Sequence, residues 1–200
     1  MSVVVAIKDE DRVWMACDSQ VSRGWNKSTL TNMNNYKIMK PKDEPNTLVG
    51  IVGSLKYQNA LKVQDSFINE LTRLKGKFDF KDMVKNVVPK LFSVAKEYQT
   101  SNKIKDQDGY MLDSNVLFAH KDKLFNVCFD GSVTEVDDFA CIGSGEEYSI
   151  GYMNQYNDDC DDKREAIINA VRSACKSELH VNYPIIVSNT LDGEFIIIEK

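Results

Sequence analysis

The sequence opens with Met1-Ser-Val-Val-Val-Ala-Ile-Lys8, and after Asp9-Glu-Asp11 a second apolar run follows, Arg12-Val-Trp-Met-Ala-Cys-Asp18. The first run is rich in β-branched residues and ends in charge, which is typical of a buried strand. The three acidic residues between the runs form a connection short enough for a hairpin. We therefore predict that the chain enters the fold at its second residue, as the first strand of a hairpin.

Ser2 is a candidate nucleophile because of its position. If Met1 is removed, one residue carries both a hydroxyl group and a free amine, and such an amine titrates near pH ~7.7–8.0. The amine can then act as a general base at neutral pH, which is the chemistry of an N-terminal nucleophile. Taken alone, Ser2 is more often simply the small residue that follows an initiator methionine.

Composition narrows the classes of function. A chain of 200 residues fits one domain, which we assign to residues 1–200. A net charge of -5 without any Lys/Arg cluster argues against a nucleic-acid partner. No apolar run approaches the ~18 residues of a membrane span, and the first strand is too short for a signal peptide. Five scattered cysteines without a C-x-x-C spacing favour reduced thiols and a cytoplasmic location.

The sequence predicts neither a metal site nor an organic cofactor. His120 and His180 lie far apart and share no metal-ligand or Ser-His-Asp spacing, so we interpret both as structural. The acidic run 157–162 lacks the Asp/Gly/Glu pattern of a calcium loop, and we interpret it as a solvated approach to a helix.

The spacing of apolar residues along the chain changes between the patterns of strands and of helices. Short strands are predicted at 36–39 and 47–52, followed by helices from 55 to about 74 and from about 80 to 98. Pro89 should kink the second helix or sit where a missing hydrogen bond is tolerated. Strand signals fill 116–142, and two more helices precede a final hairpin across Asp192-Gly193. Residues 19–35 and 101–112 are polar, and we interpret them as an exposed loop and a linker.

The order of these elements is strands, two helices, strands, two helices, strands. Each sheet and each helix must bury an apolar face against another layer. The sequence therefore predicts an α+β fold, a four-layer α/β/β/α sandwich of two antiparallel sheets flanked by helices.

Four motifs occur in order: the opening strand with Ala16-Cys-Asp-Ser-Gln-Val-Ser-Arg-Gly24, Lys37-Ile38, Gly50-Ile-Val-Gly53 and Cys141-Ile-Gly-Ser-Gly145. Together they resemble proteasome β-subunits and the bacterial HslV peptidase, a family of N-terminal nucleophile hydrolases. The resemblance has no gap over residues 2–24, and the element order matches over nearly the whole chain. Each motif alone has low specificity, whereas four in the right order are far more specific.

The resemblance implies a catalytic role for five residues. Ser2 would be the nucleophile and its amine the base, while Asp18 would hold Lys37 beside it. The charge of Lys37 would lower the pKa of the hydroxyl and of the amine. The N–H of Gly53 would donate to the oxyanion, and Ser144 would bond to the terminal amine or to a water. Each of these residues can also be interpreted as having a structural role only. Ser144, for example, can cap the helix that it precedes.

The resemblance also implies where substrate binds. Val21, Ile51 and Leu55 would line the pocket for a substrate side chain, and Ser22 would contact the substrate backbone. Because the three pocket residues are apolar, they favour an apolar substrate residue.

Two departures from the family pattern bear on activity. The family usually has Thr as nucleophile, whereas Ser2 lacks the methyl group that packs and orients the hydroxyl. The family also has an Asp and a Ser-Gly-Gly before the last hairpin. Counting back from Ile185 places Glu178 at the Asp position and Val181 at the Ser position.

The resemblance therefore implies a peptidase that cleaves peptides or unfolded proteins with Ser2 after loss of Met1. It further implies a homo-oligomeric ring and an ATPase as a candidate partner. Two alternatives stay open: a catalytically inactive structural or interaction protein of the same fold, and a hydrolase of small amides on that fold.

Overall fold

The opening stretch folds as the hairpin that the sequence predicts. In the computed structural model, which describes residues 2–23, 26–32, 35–42, 44–64, 78–103, 110–156 and 162–200, β1 (Val3–Asp9) pairs antiparallel with β2 (Arg12–Cys17). The first five residues of β1 are all buried and alternate between two apolar clusters. A strand buried on both faces lies inside a layered fold, with a layer packed on either side.

The remaining strands of the described residues are β3 (Gln20–Arg23), β4 (Asn26–Thr29), β5 (Ile38–Met39), β6 (Thr47–Gly53), β7 (Ser101–Lys103), β8 (Tyr110–Leu112), β9 (Ser114–His120), β10 (Lys123–Val127), β11 (Val133–Val136), β12 (Phe139–Gly143), β13 (Ile185–Asn189) and β14 (Ile196–Ile198). The helices are α1 (Leu55–Val63), α2 (Phe80–Asp82), α3 (Val88–Glu97), α4 (Glu146–Gln155) and α5 (Lys163–Ser177), and a π-helical turn (Met83–Val87) joins α2 to α3. None of these helices is both long and apolar enough to cross a bilayer.

Two five-stranded sheets form the centre of the molecule. The first has the order β12-β1-β2-β13-β14 and the second the order β11-β10-β9-β6-β5. Every neighbouring pair in both sheets is antiparallel. The predicted pair of antiparallel sheets is therefore confirmed.

Three apolar clusters separate four layers. One lies between the sheets and includes Val4, Met15 and Leu117. A second joins α4 and α5 to the first sheet, and a third joins α1 and α3 to the second sheet. The α/β/β/α sandwich predicted from the element order is confirmed.

Two segments predicted to lack regular structure contain strands. Within residues 19–35, β3 and β4 pair as a hairpin, and within 101–112, β7 pairs with β8. Both pairs are rich in polar residues, so neither shows the alternation that would have predicted a strand. The interpretation of residues 19–35 as an exposed loop is also wrong at its start, where Ser19 and Gln20 are buried.

The predicted helices form where the structure describes them. The first part of the helix expected from 55 to 74 forms α1, and residues 65–74 lie outside the described residues. Residues 157–161 of the acidic run also lie outside them. Pro89 lies in the first turn of α3, directly after the π-helical turn. The Val88 N–H bonds to the Met83 carbonyl oxygen five residues earlier, so the helix is continuous into α3. The wider π-helical turn therefore lies directly before Pro89, in the turn that a proline ring otherwise disrupts.

Candidate active site

Asp18 directly follows β2, and its carboxylate is completely buried. Its Oδ1 accepts hydrogen bonds from the Val3 N–H at 2.9 Å and from the Lys37 Nζ at 2.6 Å. Its Oδ2 accepts from the Gln20 N–H at 3.0 Å. A buried carboxylate requires such partners, because an unpaired charge away from water is very costly.

Lys37 lies immediately before β5 and is also buried. Besides the bond to Asp18, its Nζ donates to the carbonyl oxygen of Gln20 at 2.7 Å. Asp18 therefore connects the ammonium group to the backbone of Val3, one residue from Ser2. This arrangement holds a positive charge close to the first residue of the proposed mature chain.

The turn between β12 and α4 also holds Ser2 in place. Its nitrogen donates to the Ser144 Oγ at 3.1 Å, and its carbonyl oxygen accepts from the Gly145 N–H at 3.3 Å. The next residue, Val3, pairs with Gly143 in the sheet. Contacts from both strands that flank β1 thus hold this end of the chain: Asp18, after β2, accepts from Val3, and Ser144, after β12, accepts from Ser2.

Two glycines near Ser2 have backbone conformations and close contacts that exclude a side chain. Gly53, at the end of β6, has φ +119°, and a Cβ there would lie 2.4 Å from the Asp113 carbonyl oxygen. Gly143 has φ +108°, and a Cβ there would lie 2.2 Å from the Ser2 carbonyl oxygen. Only glycine adopts these conformations without strain.

The sequence-predicted residues converge on two cavities that share Ser2 and Gly53. The first, of about 130 Å³, is lined by Ser2, Lys37, Gly53 and all four predicted substrate-binding residues, Val21, Ser22, Ile51 and Leu55, together with Gln20, Ser54 and Gln58. Ser144 lines the second cavity, of about 340 Å³, whereas Asp18 lines neither and contacts Gln20 and Lys37 in the wall of the first. The structure therefore brings the predicted residues together, and their roles stay predictions.

The family model described as proteasome subunit matches residues 2–187. The chain belongs to the proteasome subunit family. No curated protein sequence matches it significantly. The family and the fold support N-terminal nucleophile hydrolysis in general, as the opening motifs had indicated.

Several solved structures share the proteasome-type fold. Thiobacillus denitrificans BPH in complex with epoxomicin is 22% identical, with a TM-score of 0.72 over 96% of this chain and 99% of that one. An Anbu mutant from Hyphomicrobium is 16% identical, with a TM-score of 0.70 over 100% and 87%. HslV from Trypanosoma brucei is 17% identical, with a TM-score of 0.67 over 94% and 98%. Because all three sequences are at most 22% identical to this chain, these similarities show a shared fold and nothing further.

The segment after α5 differs chemically from the usual proteasome-family pattern. Glu178 ends α5, and its Oε1 contacts the His180 Nδ1 at 2.9 Å and accepts from the His180 N–H at 3.2 Å. Val181, at the position where the resemblance places a Ser, is buried. A Cβ built at Gly145 would lie 3.1 Å from the Val181 side chain, so this residue packs beneath the turn that carries Ser144.

Gln20 belongs to the site, although the sequence pattern predicts that it lies in an exposed loop. Its N–H bonds to Asp18, its carbonyl oxygen accepts from Lys37, and its side-chain Nε2 donates to the Ser22 Oγ at 3.0 Å and to the Leu179 carbonyl oxygen at 3.2 Å. Two of these contacts use the backbone, which leaves no trace in the sequence. Asn182 was missed for the same reason, since it reaches the Asp18 Oδ2 through its N–H at 3.4 Å.

Cys17, directly before Asp18, is not a competing nucleophile. Burial raises the pKa of its thiol to about 12. A thiol with that pKa carries almost no thiolate at neutral pH, and the thiolate is the reactive form.

A larger cavity, of about 780 Å³, lies elsewhere, beside the end of α1 and three lysines, Lys40, Lys42 and Lys62. None of the predicted site residues lines it, so its size does not make it the candidate active site.

Proposed function

We propose that this chain is an N-terminal nucleophile peptidase in which Ser2, freed by removal of Met1, cleaves peptide bonds. The observation that carries the proposal is the buried Asp18–Lys37 pair, whose carboxylate also accepts from the Val3 N–H. This pair holds a cation next to a residue that bears both a hydroxyl group and, after processing, an amine.

We infer the reaction from the roles proposed for these residues. As the Ser2 Oγ attacks the carbonyl carbon, the Ser2 amine accepts the hydroxyl proton. The Lys37 charge favours the anionic oxygen, and the Gly53 N–H donates to the oxyanion, an interaction that typically contributes ~10²–10³ in rate. The amine then returns its proton to the leaving nitrogen, and an acyl-enzyme remains. Water attacks the ester with the same amine as base, so the reaction needs no metal or organic cofactor.

The substrate that we propose is a peptide or an unfolded protein. Val21, Ile51 and Leu55 give the 130 Å³ cavity apolar walls, which favour an apolar side chain on the acyl side of the bond. Ser22, on the rim of the same cavity, would hydrogen-bond the substrate backbone.

We also propose a cytoplasmic homo-oligomeric ring, with an ATPase as candidate partner. Membership of the proteasome subunit family supports this assembly. Native mass spectrometry tests it, because a ring requires a discrete mass that is a multiple of the 22.7 kDa chain. A single species of 22.7 kDa at micromolar concentration would contradict the ring.

The peptidase proposal is tested by mass and by covalent labelling. The intact chain should lack one methionine residue, and incubation with epoxomicin, the compound bound to Thiobacillus denitrificans BPH, should add its mass to Ser2. Ser2→Ala should abolish the adduct, whereas Ser93→Ala, at an exposed position of α3, should retain it. An unprocessed chain that forms no adduct would refute the proposal.

The alternative is a catalytically inactive protein of the same fold. The apolar Val181 favours it, since the family pattern has a hydroxyl group at that position. Glu178 keeps a carboxylate at the family's Asp position, but its Oε1 contacts His180. Retention of Met1 together with a defined oligomeric mass would support this alternative.

A further inference from the structure

The proposed mechanism assigns no role to the second cavity at Ser2. It measures about 340 Å³ and shares Ser2 and Gly53 with the 130 Å³ cavity. Its other walls include Leu112, Asn115 and Phe129, from β8, β9 and the β10–β11 turn. A peptide that passes over Ser2 would therefore place one flanking residue in each cavity.

The position of the Ser2 nitrogen assigns a side to each cavity. This nitrogen donates to the Ser144 Oγ at 3.1 Å, and Ser144 lines the second cavity, not the first. In the proposed mechanism the same nitrogen must deliver a proton to the leaving amine. A general acid must lie within hydrogen-bond reach of the atom that it protonates. The segment that carries the leaving amine consequently extends toward Ser144 and into the second cavity.

Phe129 is the large apolar side chain that this cavity presents to an incoming residue. It is 49% exposed, yet its backbone is held on both sides. Its N–H donates to the Asn115 Oδ1 at 2.9 Å, and its carbonyl oxygen accepts from the Leu112 N–H at 2.7 Å.

The turn that follows is closed by its own bonds. The Asp130 Oδ1 accepts from the N–H of Ser132 at 2.9 Å and from its hydroxyl at 2.7 Å. Because these bonds fix the backbone that carries the Phe129 ring, a substrate that contacts the ring does not have to order this turn.

We propose that this cavity is the leaving-group subsite and that Phe129 determines its specificity, selecting a large apolar residue, above all an aromatic one, on the amine side of the scissile bond. The inference rests on the proposed function for the direction of the substrate. Aromatic side chains stack against one another with an energy beyond that of simple burial. Glycine or alanine at the same substrate position leaves the Phe129 ring in water.

Calorimetry with paired uncleavable peptides tests the subsite. Two peptides share an acyl-side sequence and a reduced CH₂–NH bond in place of the scissile amide, and they carry either Phe or Gly after that bond. We expect the Phe peptide to bind the full chain roughly threefold to tenfold more tightly, the range that an aromatic pair supports. Phe129→Ala should remove the difference. Phe80→Ala, which deletes a 44% exposed ring on α2, should retain it.

Equal binding of the two peptides to the unaltered chain, or binding of neither, overturns the subsite, as does a difference that persists in Phe129→Ala. If Phe129→Ala fails to fold, Phe129→Leu replaces it and should reduce the preference for Phe. Because this experiment measures binding and not cleavage, its outcome can be distinguished from that of the test of the peptidase. A Phe preference without any epoxomicin adduct refutes the peptidase and retains the cavity only as a binding site for an aromatic residue, whereas an adduct with equal binding refutes the subsite and retains the peptidase.

Discussion

Asp18 receives donors from four separate segments of the chain, so its charge should matter to stability as well as to chemistry. Asp18→Asn keeps the size of the side chain but leaves the buried Lys37 ammonium without an anionic partner. Removing one partner of a buried ion pair typically costs about 3–5 kcal/mol. We expect a loss of that order in the free energy of unfolding, measured by urea denaturation.

Glu135→Gln is the matched control for Asp18→Asn. Glu135 pairs with Lys123 at 2.9 Å, but both side chains are partly exposed. Such pairs contribute only about 0–1 kcal/mol. Similar losses in the two variants would mean that the Asp18–Lys37 pair is solvated in solution.

His120 should make the stability of the protein depend on pH. Burial lowers the pKa of its ring below the ordinary 6.5, and its Nδ1 lies 2.8 Å from the Thr47 Oγ1. Below pH 6.5 the unfolded chain takes up a proton that the folded ring resists, so stability falls as the pH falls through 6.5 and is unaffected above it. One such group contributes at most about 1.4 kcal/mol per pH unit.

Thermal unfolding between about pH 7 and pH 5 measures the effect of His120. His120→Gln should show a smaller decrease in Tm over this range than the unaltered chain. The assignment fails if His120→Gln retains the full pH dependence of the unaltered chain.

The β12–α4 turn is the element that sets the position of Ser2, and Gly143 is its critical residue. Gly143→Ala would force a Cβ to within 2.2 Å of the Ser2 carbonyl oxygen at a φ of +108°. We expect a loss of about 1–3 kcal/mol in stability and a marked slowing of the epoxomicin adduct. Gly151→Ala, on an open face of α4, should instead stabilise the protein by about 0.5–1 kcal/mol without slowing the adduct.

How far the sequence predicts an element depends on where its apolar residues point. β1 and β2 were predictable because burial on two faces requires an uninterrupted apolar run. β4 (Asn26–Thr29) is exposed at all four residues, so no burial pattern marks it. It is held by β3 and by the Lys27 Nζ, which donates to the Leu179 carbonyl oxygen 152 residues away at 2.9 Å. A contact of that kind has no local signature.

The same limit applies to the candidate site. Ser2, Asp18, Lys37, Gly53 and Ser144 were named because their side chains or glycine conformations belong to recognisable motifs. Gln20 and Asn182 contribute through the backbone, where any residue offers the same groups, and Phe129 only adjoins Ser2 once the two sheets are stacked.

At the scale of the whole molecule, the two sheets are in close contact at Gly50 on β6. A Cβ there would lie 2.7 Å from the Val4 Cγ1 and 2.8 Å from the Met15 Sδ, both on the first sheet. Gly50→Ala should therefore overpack the layer between the sheets and cost about 1–3 kcal/mol in urea denaturation. Because Val4 supplies the nearer contact, Val4→Ala should relieve part of the overpacking.

The double-mutant cycle isolates this contact. Gly50→Ala combined with Val4→Ala should cost less than the sum of the two single changes, by about 0.5–3 kcal/mol. Val171 packs against the opposite face of the first sheet, in the layer of α5, so Gly50→Ala with Val171→Ala should be additive. Additive behaviour in both pairs would show that the sheets separate freely at Gly50. In that case β6, and Gly53 at its end, would be positioned by the α1–α3 layer, and not by contact with the sheet that carries Ser2.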